Sequence, residues 1–299
     1  MNRRAFPQLG MSRGDPAQPH PEDVVVIRFM DSVTRDPQRL QPHYHEFFQI
    51  FLLQGRARVM LDFVEFEVTG TTLVFLSPGQ IHTARPAPGL RGTTVSFTQA
   101  FFDHGAPPPS LLVDFPFVFA AETRPWLTVP PEHAREMEAA FADLQHEFDA
   151  AQAGAAEVLR ALLRIVLVRT SRLYAAAHPP RQVSRAAQLV RQFRLAVERH
   201  FRTRQAVTGY ARELGVTTNH LHDVVREETG QAAGDLIRDR RLLDAKRLLL
   251  HSDLTAAEIG YQLGFTDPSY FSRFFKRLAR RTPAEFREEI REKYHPKRD

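Results

Sequence analysis

The stretch LTAAEIGYQLGFTDPSYFSRFFKRLARRTPAEFR, from Leu254 to Arg287, leaves the chain few folds to choose from. Thr255 and Glu258 carry the spacing of a capping box, and Leu254 and Ile259 stand where a hydrophobic staple puts them. A short helix over residues 256–263 therefore starts under strong local instruction. Gly264 ends it, because glycine takes the left-handed conformation at least cost. Asp267 then offers an N-cap and Pro268 suits the first helical position. The second helix has two faces. Phe271, Phe274, Phe275 and Leu278 recur at helical spacing and are expected in a core. Ser269, Ser272, Arg273 and Lys276 fall at i, i+3, i+4 and i+7 on the other side. A capped helix, a glycine turn and a second helix with a polar, basic face make a helix-turn-helix.

The unit occurs twice. In YARELGVTTNHLHDVVREETG, Ala211 and Leu214 belong to a first helix, Gly215 to the turn, and Thr217 is the N-cap of a second. Leu221, Val224 and Val225 form its apolar face, and Asn219, His222, Asp223 and Arg226 its outward face. Between the units lies AGDLIRDRRLLDAKRLLLHS, a good helix former whose Leu236, Leu243 and Leu248 are expected to face a shared core. Two helix-turn-helix units joined by a long helix resemble the DNA-binding domain of the AraC/XylS family of bacterial transcription regulators. Arg241-Leu242, Ala245, Glu258-Ile259, Gly264-Phe265, Tyr270-Phe271-Ser272-Arg273, Phe275-Lys276 and Thr282-Pro283 follow that family's order and spacing. Double-stranded DNA is the partner the resemblance implies, with RNA polymerase recruited by an activator.

That resemblance puts Asn219, His222 and Asp223 of the first unit, and Ser269, Tyr270, Ser272 and Arg273 of the second, against base edges. Asn can pair bidentately with adenine and Arg with guanine. Arg226 and Lys276, one turn further along, suit phosphates. Asp223 could accept from cytosine N4 or pair with Arg226 and contact no DNA, and the pairing is the expectation. Two departures from the family pattern stand out. Gly230 closes the first recognition helix, whereas the matching position fifty residues on is Arg280; arginine in a left-handed cap costs about 1 kcal/mol more than glycine. Gly260 replaces a customary alanine, a small expected loss.

Charge supports the division. Residues 181–299 hold 24 Lys+Arg against 16 Asp+Glu, while the whole chain is only +5, so the remainder is slightly acidic. A basic C-terminal part implies a polyanion partner for that part alone. At 299 residues two domains are expected. The absence of cysteine excludes disulfides and cysteine metal sites. No apolar run reaches the ~18–20 residues of a membrane span, and Met1 to His20 lacks the apolar segment of a secretory signal, so a cytoplasmic protein with no membrane contact is expected.

Residues 1–22, with Pro7, Pro16, Pro19, Pro21, Gly10 and Gly14, read as a disordered arm. From Val24 short apolar runs follow: VVVIRF, FFQIFLL, ARVMLDFVEFEV, TTLVFL and TTVSFT, separated by Gln54-Gly55, Gly70, Pro78-Gly79 and Pro88-Gly89. Closely spaced short strands imply an all-β sandwich or barrel. His43-Tyr44-His45, Gly55, Gly70 and Ser77-Pro78-Gly79-Gln80-Ile81-His82 resemble the cupin barrel that many AraC-type regulators use as a sensor. The expected fold is thus α+β: a cupin-like domain at 23–128, a helical pair at 129–178, a linker at 179–184, and a DNA-binding domain at 185–299 with its units at 206–230 and 255–280.

His43, His45 and His82 admit three readings: pocket donors to a small-molecule effector, a metal site, or satisfied polar groups at the barrel mouth. In metal-binding cupins a glutamate follows the His-x-His pair. Here that position is Gln49, a poor anionic ligand, so no metal and no other cofactor is assigned and Gln49 joins the effector set. Arg28 is a candidate partner for an effector carboxylate, or else an edge arginine in water. Phe47, Phe51, Phe63, Phe75 and Phe97 are candidate apolar walls. Leu61-Asp62-Phe63 and Pro78-Gly79-Gln80-Ile81-His82 also resemble the family members that activate 4-hydroxybenzoate breakdown, which implies an aromatic acid.

Two helices follow, at residues 131–152 with Met137, Phe141, Leu144 and Phe148 on one stripe, and at 155–177 with a wide apolar face. They pack on the barrel or pair two subunits as a homodimer. A further helix over 183–201 leads into the first DNA unit. No catalytic residues are assigned. The competing functions are a cupin metalloenzyme with an appended DNA-binding domain and an effector-independent DNA-binding protein.

Overall fold

The computed structural model describes residues 5–11, 23–104, 115, 117, 125–177 and 185–294. It divides into two compact units, one within residues 7–179 and one within residues 180–299 joined by the first six. The linker expected at 179–184 lies outside the described residues. No described helix is long and apolar enough to cross a membrane.

In the first unit β1 (Val24–Arg28) runs directly into α1 (Phe29–Arg35) and a 3-10 turn at Pro37–Leu40, whose Asp36 cap accepts from the Gln38 N–H. Then come β2 (Phe48–Leu61), β3 (Val64–Leu76), β4 (His82–Pro86), β5 (Arg91–Phe97), α2 (Gln99–Phe102), β6 (Trp126–Thr128), α3 (Pro131–Ala150) and α4 (Ala155–Ala177). The antiparallel sheet has the order β1-β5-β2-β3-β6, with β4 beside the second half of β2. Gly55 and Gly70 do not separate strands as expected. They face each other inside the β2–β3 ladder with φ of 121° and 65°, and there β2 changes partner, from β5 (Phe48–Gln54) to β4 (Ala57–Leu61). A glycine pair lets both long strands bend together, which is how one sheet curls towards a barrel. The hairpin turn falls instead at Asp62-Phe63, both at positive φ, with no glycine to announce it.

Period two splits β2 between two cores. Phe48, Ile50 and Leu52 join Met137, Phe141, Leu144 and Phe148 of α3 and Leu159, Leu163 and Val166 of α4. Leu53, Val59 and Leu61 point to the inside of the curl with Phe29, Val33, Val74 and Leu76. The expected stripe of α3 therefore covers the sheet. Residues 7–11, expected in a disordered arm, are tied down: the Leu9 N–H donates to the Tyr44 carbonyl at 3.0 Å, and the Tyr44 N–H to the Pro7 carbonyl at 3.2 Å. This segment is held by backbone bonds, and such bonds leave no apolar signature in the sequence.

The second unit is α5 (Arg185–His200), α6 (Val207–Glu213), α7 (Thr218–Thr229), α8 (Ala233–His251), α9 (Ala256–Gln262), α10 (Pro268–Ala279) and α11 (Pro283–Tyr294). With 19 residues α8 is about 28 Å long. Its buried line is not the expected Leu236, Leu243 and Leu248, which are half-buried, but Ala233, Ile237, Arg241, Asp244, Ala245, Arg247, Leu249 and Leu250. Two of the buried charges meet partners from outside α8. Arg241 donates to the Leu263 carbonyl at 2.5 Å and lies 3.9 Å over the Phe265 ring, while Arg202 pairs with Asp244 at 2.8 Å. Arg241 thus binds the turn of the second helix-turn-helix to the central helix.

Candidate functional site

Local instructions set each outward helix. The Thr217 hydroxyl accepts the His220 N–H at 3.2 Å at the start of α7, and Asp267 accepts the Ser269 N–H at 2.8 Å at the start of α10. The capping box of Thr255 and Glu258 is complete, with both reciprocal bonds present. Each cap contributes about 1 kcal/mol and fixes where the following stripe begins. Beneath, Leu221, Val224 and Val225 of α7 and Phe271, Phe274 and Phe275 of α10 are buried. Phe271 and Phe275 form a ring chain with Phe265 and Phe286.

The polar stripes of α7 and α10 face outward. Asn219, Asp223, Arg226, Ser269, Tyr270, Arg273 and Lys276 are exposed, and His222 and Ser272 half-buried. Asp223 does not pair with Arg226: no ion pair joins them among the described residues. The acid that does meet an outward arginine is Asp267, 3.7 Å from Arg273. Tyr270 leans on Phe265 with ring centroids 5.9 Å apart, which holds an exposed aromatic at the head of α10. The two units differ in their turns. Gly215 precedes the Thr217 cap by two residues, whereas Gly264 precedes Asp267 by three. Arg280 sits at φ 61° and ψ 13°, the left-handed cap, against Gly230 at φ 73° and ψ 0°.

The other candidate site is the inside of the curled sheet, a chamber with about 50 Å³ of free volume. Phe29, Phe51, Leu53, Val59, Leu61, Val74 and Leu76 form its apolar walls, and Arg39, His43, His45, Gln49 and His82 its polar end. Of the expected phenylalanine walls only Phe51 lines it. Phe75 and Phe97 lie in the core under α3 and α4, and Phe47 stacks on His45 at 4.5 Å. Arg28 is exposed, at an open cleft beside Asp31 and Glu138, and does not reach the chamber. The cation that does is Arg39, which sequence reading missed because it lies within a 3-10 turn, with no strand alternation to place it. Its Nη2 donates to the Gly10 carbonyl at 2.9 Å and its Nε lies 3.7 Å from Asp36.

The three histidines converge. Ring centroids are 4.8 Å apart for His43 and His45, 4.2 Å for His43 and His82, and 4.7 Å for His45 and His82. In each, Nδ1 meets a backbone carbonyl: Gln41 at 2.7 Å, Leu9 at 3.0 Å and Gln80 at 3.0 Å. A carbonyl can only accept, so Nδ1 carries the proton and Nε2 a lone pair. Burial lowers His43 to about 4 and His45 to about 3, and holds His82 well below its ordinary value. All three are neutral at pH 7.

Comparison with known proteins agrees with both halves. Residues 33–165 match the AraC-like ligand binding domain family, and residues 210–289 match the family described as a helix-turn-helix domain. The HTH-type transcriptional regulator GlxA of Rhizobium meliloti (strain 1021) is 44% identical over 80 residues, 27% of this chain and 25% of that protein. The probable transcription factor PqrA of Proteus vulgaris is 35% identical over 78 residues, 26% of this chain and 64% of that protein. The chain therefore spans less than two thirds of either relative. Among solved structures, ToxT from Vibrio cholerae strain SCE256 aligns over 90% of this chain and 96% of its own, at 13% identity and a TM-score of 0.42. A region that matches the AraC-like ligand binding domain family is thus followed along the chain by one that matches a helix-turn-helix domain family.

Proposed function

We propose that this protein is a sequence-specific DNA-binding regulator, an activator of a catabolic operon that recruits RNA polymerase when an effector enters the barrel. The observation that carries it is the pair of capped helices, α7 and α10, each with a buried apolar face beneath exposed hydrogen-bonding and basic side chains. Such a pair can occupy successive major grooves about 10 bp apart. Arg273 reads guanine, Asn219 reads adenine, and Arg226 and Lys276 hold phosphates. The protein acts in the cytoplasm, where the chromosome is.

The effector is a small organic anion, and aromatic acids are the first class to try. Apolar walls led by Phe29 and Phe51, closed by a polar end with Arg39, suit an apolar body with a charged head. The free volume admits only a few waters, so the chamber opens as such a ligand enters. The reading as a regulator rather than an enzyme is supported by the relatives named above, which are described as transcription regulators.

The protein works as a homodimer. Val158, Ile165 and Val168 of α4 are exposed apolar residues. The test is genome-wide DNA pull-down with the full chain, with and without aromatic acids. The expected result is one enriched promoter bearing two blocks about a helical turn apart, with a footprint that changes on adding the acid. Sequence-blind, salt-sensitive binding alone would overturn the reading.

A further inference from the structure

We propose that Arg280 contacts a phosphate of the DNA backbone at the far end of α10, and that its strained left-handed position serves this contact. The proposal rests on α10 as a DNA-reading helix, as proposed above.

Arg280 is an outlier in its backbone. It caps α10 at φ 61° and ψ 13°, a conformation unfavourable for any residue with a side chain. The matching cap of the first unit is Gly230, which holds φ 73° without that penalty. Arg280 recovers nothing inside the chain. It is exposed, and it makes no hydrogen bond or ion pair among the described residues. Strain kept without an internal partner is characteristic of functional positions.

The place of Arg280 along the helix gives its charge a use. Ser269, Arg273, Lys276 and Arg280 are spaced four, three and four residues apart, so Arg280 continues the outward row of α10 by one more turn. A recognition helix meets base edges with its N-terminal residues. Seven residues separate Arg273 from Arg280, which is about 10 Å along the axis. The major groove is only about 12 Å wide. A cation that far along the helix therefore stands at the phosphate wall of the groove.

Several neighbouring cations are already engaged. Arg273 lies 3.7 Å from Asp267, Arg281 pairs with Glu289, and Lys276 lies in the field of Glu285. Arg277 and Arg280 are exposed and have no ion pair among the described residues. A guanidinium without a carboxylate partner can offer a phosphate two donors at once. The two units then differ in kind. Helix α7 carries Arg226 against Asp223, Glu227 and Glu228 and ends on a glycine; α10 carries Arg273, Lys276 and Arg277 with no acid and ends on Arg280. Sequence-independent attraction to the duplex is thus concentrated on α10 and its cap.

The test measures stability and DNA binding together, because the two should move in opposite directions. In the full chain, Arg280→Gly should raise the folded-to-unfolded ratio of the helical unit by up to about fivefold. Binding to a random-sequence duplex is read by fluorescence anisotropy over a salt series. It should weaken about eightfold at ~0.1 M salt, the ~0.9 power of a tenfold dilution from ~1 M, and the slope of log K against log salt should fall by about 0.9. Arg280→Lys keeps the charge and should keep the slope, whereas Lys276→Ala, on the same row, should lower it. A slope that falls for Lys276→Ala and holds for Arg280→Gly overturns the Arg280 contact and leaves α10 as a DNA-reading helix. An equal fall for Arg280→Lys overturns it as well, since charge is then not the cause. A less stable Arg280→Gly overturns the strained cap. Wild type that binds no duplex removes the function proposed above along with this contact.

Discussion

Gly215 and Gly264 occupy the same place in the two helix-turn-helix units, and alanine at each should have very different consequences. Both have positive φ, 68° and 75°. A side chain there costs about 1–2 kcal/mol, offset by about 0.4–1 kcal/mol from a stiffer unfolded chain. At Gly215 an added Cβ meets nothing within 4 Å, so Gly215→Ala should cost only the difference, about 1 kcal/mol. At Gly264 the Cβ would stand 2.2 Å from the Arg202 carbonyl oxygen, a contact with backbone that no rotamer relieves. Arg202 is itself held by Asp244 of α8 at 2.8 Å, and Gln205 donates to the Gly264 carbonyl at 2.6 Å. Relief therefore means separating α9 from the segment after α5. Overpacking of this kind adds about 1–3 kcal/mol, so Gly264→Ala should lose about 2–4 kcal/mol in all. Urea denaturation of the full chain separates the two units by probe. Far-UV circular dichroism follows mainly the helices, while Trp126, stacked on Phe66 at 3.9 Å, follows the barrel. The helical transition should move far more for Gly264→Ala than for Gly215→Ala, and the tryptophan transition should not move. Equal shifts for the two variants would refute the close approach.

Arg280→Gly should stabilise the helical unit by up to about 1 kcal/mol, since Arg280 holds a left-handed cap; Gly230→Ala should destabilise it in the same assay, with no clash to confuse the cause. Gly260→Ala should not give the stabilisation that helix propensity promises, because the new Cβ would sit 3.1 Å from Cβ and Cγ of the buried Phe271; a rise in the melting midpoint would show that this ring yields easily. Arg273→Ala should cost about 1–3 kcal/mol in operator binding and relax preference at one base pair, whereas Lys276→Ala should weaken operator and random DNA alike; a binding-site selection read by sequencing tells the two apart. The Glu258 and Glu285 carboxyls are held below their ordinary value by backbone N–H bonds and then hydroxyl bonds from Thr255 and Thr282. Their contribution is thus complete above the unfolded value of 4.5 and lost as pH falls through the lower folded value. Glu258→Gln/Glu285→Gln should show less acid dependence of helical stability in that window, and an unchanged profile would count against the caps.

What the sequence made legible was whatever is decided locally. Caps at Thr217, Thr255 and Asp267, glycine stops, the aromatic face of α10 and the left-handed Arg280 all depend on a residue and its near neighbours, and each stands where its spacing implies. The α11 capping box of Thr282 and Glu285 carried the same signal and went unread. The failures share another cause. Leucine periodicity misplaced the buried face of α8 because Arg241, Asp244 and Arg247 occupy it. A charge can be buried only when a distant group meets it, and the Leu263 carbonyl lies 22 residues from Arg241. The chamber shows the same limit more sharply. Of the two readings of Arg28 it is the edge arginine that stands, exposed at the end of β1, while Arg39 reaches the chamber from within a 3-10 turn. A side chain's chemistry can be listed from sequence, but which of its atoms remains free depends on partners that folding brings from elsewhere in the chain.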